Sequence, residues 1–310
     1  MTRKQTKSAR KVRLGCHLCR SFCHSFCHRG FTLVEVLVVT VIIGILLALV
    51  TMAVFPALQS AREFAISSEA GQLEMAIEAF KSHYGSGYPP ANLAEPASGE
   101  VDPFYNFVRA TFPRFTKDPS DPTGETDLTA VNLRTYLQTM KNELGEDAGV
   151  YITTFDPGQA LIFWLVGFSN DPSDPFDGHA DRMRGKNLEK ALYDFDPDRL
   201  GTRNEEGIWT VHYYPDLSGG VDSSTINSRA FLYFDSKAYG TPYQPADTLP
   251  EFSAYQQSGG DNPPYNPASF QIINAGLDGQ LGVGATTTGD ADADNIANFS
   301  GGTIADYRDH

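Results

Sequence analysis

The stretch that most constrains this chain is an apolar run: from Phe31 to Phe55 there are 25 residues, and Glu35 is the only charged side chain among them. A helix rises about 1.5 Å per residue, so the run reaches about 37 Å, more than the ~30 Å hydrocarbon core of a bilayer. It is read as a membrane-spanning helix. A carboxylate just inside such a run is costly unless it has a partner, which marks Glu35 as a functional position.

Charge is divided sharply around this run. Residues 1–30 hold eight of the 24 Lys and Arg (Arg3, Lys4, Lys7, Arg10, Lys11, Arg13, Arg20 and Arg29) and no acid. The remainder carries 16 basic against 38 acidic side chains, net −22. A basic segment ahead of a membrane helix stays in the cytoplasm, which places the C-terminal part outside. Its acidity argues against nucleic acid or anionic lipid as a partner.

The junction reads Arg29-Gly30-Phe31-Thr32-Leu33-Val34-Glu35. A basic residue, a glycine and then Phe-Thr-Leu-Val-Glu resembles the processing signature of type IV pilin-like prepilins. The resemblance implies that a prepilin peptidase cuts between Gly30 and Phe31, removes residues 1–30 as a leader, and N-methylates Phe31. It also implies an assembly role for Glu35. The new α-amino group of Phe31 is a positive charge at a membrane helix end, and a carboxylate from a neighbouring subunit neutralises it; two charges costly apart are tolerated as a pair. An ordinary anchor with Glu35 snorkelling to the interface accounts for the run but not for the motif. A secretory signal peptide fits the basic region, but the run is too long, Glu35 interrupts it, and no clean A-x-A site follows.

All four cysteines, Cys16, Cys19, Cys23 and Cys27, lie in the leader beside His17, His24 and His28. The spacing is of zinc-ligand type, but the segment is short, has no second knuckle to pack on, and is expected to be removed. The mature chain then contains no cysteine, so no disulfide stabilises it outside.

Beyond Pro56 a helical pattern continues to residue 84, with a bend expected near the proline. Ile66, Ala70, Leu73, Ile77, Phe80 and Tyr84 form one stripe, while Arg62, Glu63, Ser67, Glu74, Glu78 and Lys81 lie opposite. Tyr84-Gly85-Ser86-Gly87-Tyr88-Pro89-Pro90 ends the helix. The stretch from Gln72 to Phe80, Tyr84 and the Gly-x-Tyr-Pro ending at Pro89 is similar to the helix end and following loop of the major pseudopilin of type II secretion systems. Against that family the chain carries a large insertion after the helix, in which a helix from Asn132 to Leu144 is expected.

Residues 160–166 are a dense apolar run that periodicity leaves open between a strand and a short buried helix. Residues 207–214, 230–234 and 269–273 read as strands. The repeated Asp-Pro-Ser-Asp-Pro at Asp118 and Asp171 reads as turn chemistry. The expected fold is α+β and pilin-like: a long helix, half membrane-spanning (31–55) and half amphipathic (56–84), packed on a small antiparallel sheet in an extracytoplasmic head (85–310).

After the last strand come Asp278 on a Gly-rich loop and then Asp290, Asp292, Asp294 and Asn295. Crowded carboxylates and amides supply the oxygen ligands that Ca²⁺ prefers. The spacing is not that of an EF-hand, since Gly301 stands twelfth from Asp290 where a Glu belongs. The stretch resembles the calcium loop of major pseudopilins, which implies Asp278, Asp290, Asp292, Asp294 and Asn295 as ligands together with backbone carbonyls. The alternative is a solvated acidic tail.

No G-x-S-x-G, H-E-x-x-H or phosphate loop is present, and His83, His179, His212 and His310 lack metal spacing, so no enzyme is expected. The resemblance implies a structural subunit of a type II secretion pseudopilus or related filament in the inner membrane. Its partners are then its own copies, other pseudopilins, the prepilin peptidase, an inner-membrane platform protein and, indirectly, a cytoplasmic ATPase. The alternative is a minor pilin or adhesin whose enlarged head binds an extracellular ligand. Trp164 or Trp209 exposed in a groove supports that alternative, and burial of both supports core roles.

Overall fold

The computed structural model describes residues 31–91, 102–140, 156–205, 208–215, 229–240, 251–257, 263–282 and 292–308. The leader with Gly30, parts of the expected insertion, and Asp290 lie outside the described residues. The chain divides at Pro56 into two units, residues 1–55 and 56–310.

In the first unit, helix α1 begins at Leu33 because Thr32 caps it. The Thr32 hydroxyl accepts from the Glu35 N–H at 3.2 Å, and the Thr32 carbonyl accepts from the Val36 N–H at 3.2 Å. Every side chain from Phe31 to Phe55 is exposed. Among the described residues α1 is the one helix long and apolar enough to cross a membrane. It runs Leu33–Tyr84, 52 residues, and continues through Pro56 rather than ending there.

In the second unit the α1 stripe is the floor of the core. Ile66, Ala70, Leu73, Ala76, Ile77 and Phe80 are buried, and Tyr84 is half-buried. The helix ends where Gly85 turns left-handed at φ 67°, with its N–H on the Lys81 carbonyl at 2.9 Å, a conformation that favours glycine. The chain beyond is fastened to the head. Tyr233 donates to the Pro89 carbonyl at 2.7 Å, Trp164 Nε1 to the Pro90 carbonyl at 2.9 Å, and the Ala91 N–H to Asp235 Oδ1 at 2.9 Å.

Between α1 and the strands, the described residues include further helices. Helix α2, Pro103–Thr111, is capped by Asp102, whose Oδ1 accepts from the Tyr105 N–H at 3.1 Å. The other Asp102 oxygen takes Arg134 Nη2 at 2.8 Å from helix α3, Ala130–Thr139, which ties the two helices together in a largely buried pair. The expected helix thus starts earlier than Asn132, at a Thr129–Asn132 capping box. The ambiguous run around 160–166 is helix α4, Pro157–Leu165. Asp156 accepts from the Gln159 N–H at 2.8 Å, and proline occupies the first turn, where its missing N–H costs nothing. Residues 158–165 are all buried, so the apolar run has no polar face to give it a period. At both repeated Asp-Pro-Ser motifs the Asp side chain accepts from the Ser N–H two residues on, 2.8 Å for Asp118 and Asp171 alike. A short helix α5, His179–Met183, follows.

Where a single sheet was expected from the sequence, the described residues form two. Strands β1, Leu200–Glu205, and β2, Ile208–Tyr213, form a separate antiparallel hairpin with Leu200 opposite Tyr213. The three-stranded antiparallel sheet has the order β3-β4-β5: Leu232–Asp235, Phe270–Asn274 and Ile296–Ala297. Both its faces are covered. Tyr233, Phe270, Ile272 and Ile296 join the core built on α1 and α4, while Leu232, Phe234, Ile273 and Ala297 pack against Phe252, Tyr255, Leu281 and Ile304. That is why β3 and β4 read as nearly continuous apolar runs rather than alternating ones. Helix α6, Ile304–Arg308, follows the sheet. The fold is α+β, as expected.

Candidate functional site

The processing segment has a simple geometry. Phe31 and Thr32 precede the helix, and Phe31, the residue after the expected cut, is 78% exposed. The Thr32 cap is what keeps α1 from extending toward the leader. Glu35 lies in the first turn of α1, exposed, where a negative charge complements the positive end of the helix dipole. Gly30 lies outside the described residues.

The structure brings four of the five expected metal ligands into one corner of the head, in two pairs. Asp294 Oδ2 accepts from the N–H groups of Leu277 and Asp278, each at 2.9 Å. Gly276, at φ 64°, is required there, because a Cβ would stand 2.1 Å from the Asp294 carbonyl oxygen. Burial first, and then the neighbouring Asp294 charge, raises the Asp278 carboxyl above its usual range. The second pair, Asp292 and Asn295, is fully buried. The Tyr255 hydroxyl donates to Asp292 Oδ1 at 3.1 Å and accepts from Asn295 Nδ2 at 2.6 Å, and that amide also donates to the Leu281 carbonyl at 2.9 Å. Asn295 Oδ1 is buried with no hydrogen-bond donor. Among the described residues no three His, Cys, Asp or Glu converge as a metal requires, and Asp290 is not described. Tyr255 escaped sequence reading because it lies 37 residues before Asp292 and nothing in the tail pattern points to it.

A third polar cluster was not foreseen at all. Glu69, on α1, accepts at Oε1 from the hydroxyls of Tyr193 and Tyr213, each at 3.0 Å, and at Oε2 from Arg199 Nη2 at 2.5 Å. Burial, with the Glu69 charge adding to it, pushes the Tyr213 hydroxyl up to about 12 and raises that of Tyr193 as well. The cluster borders an open groove of about 630 Å³ between α1 (Ala65, Gln72, Met75, Ala76 and Ala79) and Leu192, Asp194 and Asp196.

The buried histidines are structural. His212 Nε2 lies 2.7 Å from Asp156 Oδ2, fully buried, and a Cβ on Gly158 would come within 2.5 Å of the ring. His179 is enclosed by Phe163, Phe168 and Phe176 at ring-centre distances of 4.7, 5.2 and 5.6 Å. Burial, with Arg182 adding to it, pushes His179 down to about 3, so it stays neutral. Trp164 is fully buried, a core role; the Trp209 side chain lies outside the described residues.

Residues 26–51 match the family model for the prokaryotic N-terminal methylation motif. The match takes in Arg29, Gly30, Phe31 and Glu35, the residues on which the processing motif was read. No curated protein and no solved structure matches the chain.

Proposed function

We propose that this chain is a structural subunit of a filament of the type II secretion pseudopilus class, cut between Gly30 and Phe31, N-methylated at Phe31, and assembled through α1. One observation carries the reading: the methylation motif at residues 26–51 opens a helix whose side chains from Phe31 to Phe55 are all exposed. Such a surface is tolerable in lipid or against other copies of itself, not in water. Glu35 then receives the amino group of Phe31 from a neighbouring copy. The filament works as a piston or scaffold rather than as a catalyst, and the head lies in the periplasm. Type II secretion is favoured over an adhesive pilus by the resemblance from Gln72 to Pro89. Burial of Trp164 removes one anchor that a ligand-binding tip subunit would offer.

Calcium belongs to the same proposal. The donor set is all oxygen, Asp278 and Asp294 repel each other, and Asn295 Oδ1 is a buried acceptor without a donor. Asp278, Asp292, Asp294 and Asn295, with Asp290 beside them, would hold the ion, which would neutralise the corner and replace the missing disulfides as a staple.

The deciding experiment is the intact mass and N-terminal sequence of membrane-extracted protein from cells with and without prepilin peptidase. The expected mature chain starts at N-methyl-Phe31 only when the peptidase is present. A chain starting at Met1 in both strains overturns the proposal.

A further inference from the structure

The groove beside Glu69 plays no part in the processing chemistry, and its walls are matched by a feature of the same chain. Its floor is small and apolar, with Ala65, Ala76, Ala79, Met75 and Leu192, and its rim carries the exposed carboxylates Asp194 and Asp196. Glu69 is engaged internally by Arg199 and two tyrosines, which leaves Asp194 and Asp196 as the charges the groove presents. Neither makes an ion pair among the described residues.

Among the described residues of the second unit, large exposed apolar side chains are few and concentrated on α1. Apart from Val131 and Tyr307, they are Leu58, Phe64 and Met75, the last two 73% and 64% exposed. Phe64 and Met75 are eleven residues apart, close to three turns, and so share one helix face. Beside Phe64 stands Arg62, exposed, without an ion pair among the described residues, and the only basic side chain between Phe31 and Phe80. With the mature chain at net −22, two copies repel over most of their surface, and Arg62 offers attraction beside Phe64, whereas the other basic residues of α1, Lys81 and His83, stand in its last turn.

We infer that the groove is a self-assembly site: it receives the Arg62–Phe64 segment of α1 from a second copy, Arg62 pairing with Asp194 and Asp196 while Phe64 lies along the apolar floor toward Met75. This rests on the filament reading. Copies anchored through the same end run parallel, and ten residues separate Arg62 from Gln72 in the groove wall, so the second copy is advanced by about 15 Å along the helix. The site gives the head a part in setting that stagger, in addition to Glu35.

The test uses the full chain in cells with a working prepilin peptidase. The mature protein has no cysteine, so Arg62→Cys with Asp194→Cys is a clean pair. Under mild oxidation the double variant is expected to give a ladder of covalent multimers and each single variant none. In parallel, Arg62→Asp, and Asp194→Arg with Asp196→Arg, are each expected to lower filament yield by about tenfold, and the combined swap to restore it. The restoration separates lost pairing from lost folding. Processed protein that assembles normally with Arg62→Asp and gives no ladder overturns the groove assignment and leaves the filament intact. Single-cysteine variants that couple only to a different protein overturn it as well. A chain that keeps its leader overturns the filament reading and this site with it.

Discussion

Residues 31–55 and 66–80 belong to one helix, and both are rich in apolar side chains, yet their surroundings are opposite. In the first stretch every position is exposed, with no periodicity to separate one face from another. In the second, Ile66, Ala70, Leu73, Ile77 and Phe80 are at most 2% exposed, and Glu63, Ser67, Glu74 and Glu78 take the other sides. A helix apolar on all faces has no solution within its own chain and needs lipid or other helices around it; a helix with one apolar stripe finds its partner in its own head. The same element is therefore exposed on every face at one end and part of the head's core at the other.

Substitutions that are chemically identical in the two stretches are the sharpest way to break this contrast. Leu73→Ala empties a fully buried site and is expected to destabilise the head by about 2–5 kcal/mol. Leu46→Ala, at a residue 55% exposed, is expected to leave the melting temperature of detergent-extracted protein unchanged. Equal destabilisation by both would show that the membrane stretch packs on the head.

Calcium removal acts on the head alone and comes next in size. At a hundredfold excess over its dissociation constant, an ion at the proposed calcium site is expected to add about 2.7 kcal/mol, or about 5–10 °C in melting temperature for a head of this length. Thermal melts with calcium and with chelator measure it. Coincident curves dispose of the staple.

The smallest effect concerns His179. Its folded pKa is depressed to about 3 from an unfolded 6.5, so between those values the unfolded chain binds a proton that the folded chain does not. The head is fully stable with respect to this group above pH 6.5 and loses stability as pH falls, by about 2 kcal/mol at pH 5. His179→Phe, among three phenylalanine rings, is expected to flatten that slope between pH 6.5 and 5 in denaturant titrations. An unchanged slope would mean that the buried ring is not what titrates.

Legibility followed the reach of each interaction along the chain. The membrane run, the α1 stripe, the Gly85 stop and the Asx turns at Asp118 and Asp171 were readable because each rests on neighbours a few residues apart. The candidate site divided along the same line: Arg29 to Glu35 is a contiguous motif, whereas Tyr255 reaches Asp292 across 37 residues and Tyr213 reaches Glu69 across 144. Strand β1 was missed because Gly201-Thr202-Arg203-Asn204-Glu205 has no apolar alternation; helix α2 was missed although its Asp102-Pro103 start is a local signal, capped three residues on at Tyr105.

By itself the sequence determined that this chain has an apolar helix long enough to cross a membrane, carries a methylation motif at residues 26–51, and folds an acidic α+β head on the second half of that helix. These follow from composition, spacing and local stereochemistry. Only the tertiary structure decided that residues 157–165 are helix, that the strands split into a hairpin and a doubly covered sheet, and that Glu69 is clasped from 193, 199 and 213 beside an acidic groove. The physical reason is that a fully buried segment keeps no polar face to give it a period, and polar groups far apart in sequence become partners only when burial removes water as their alternative.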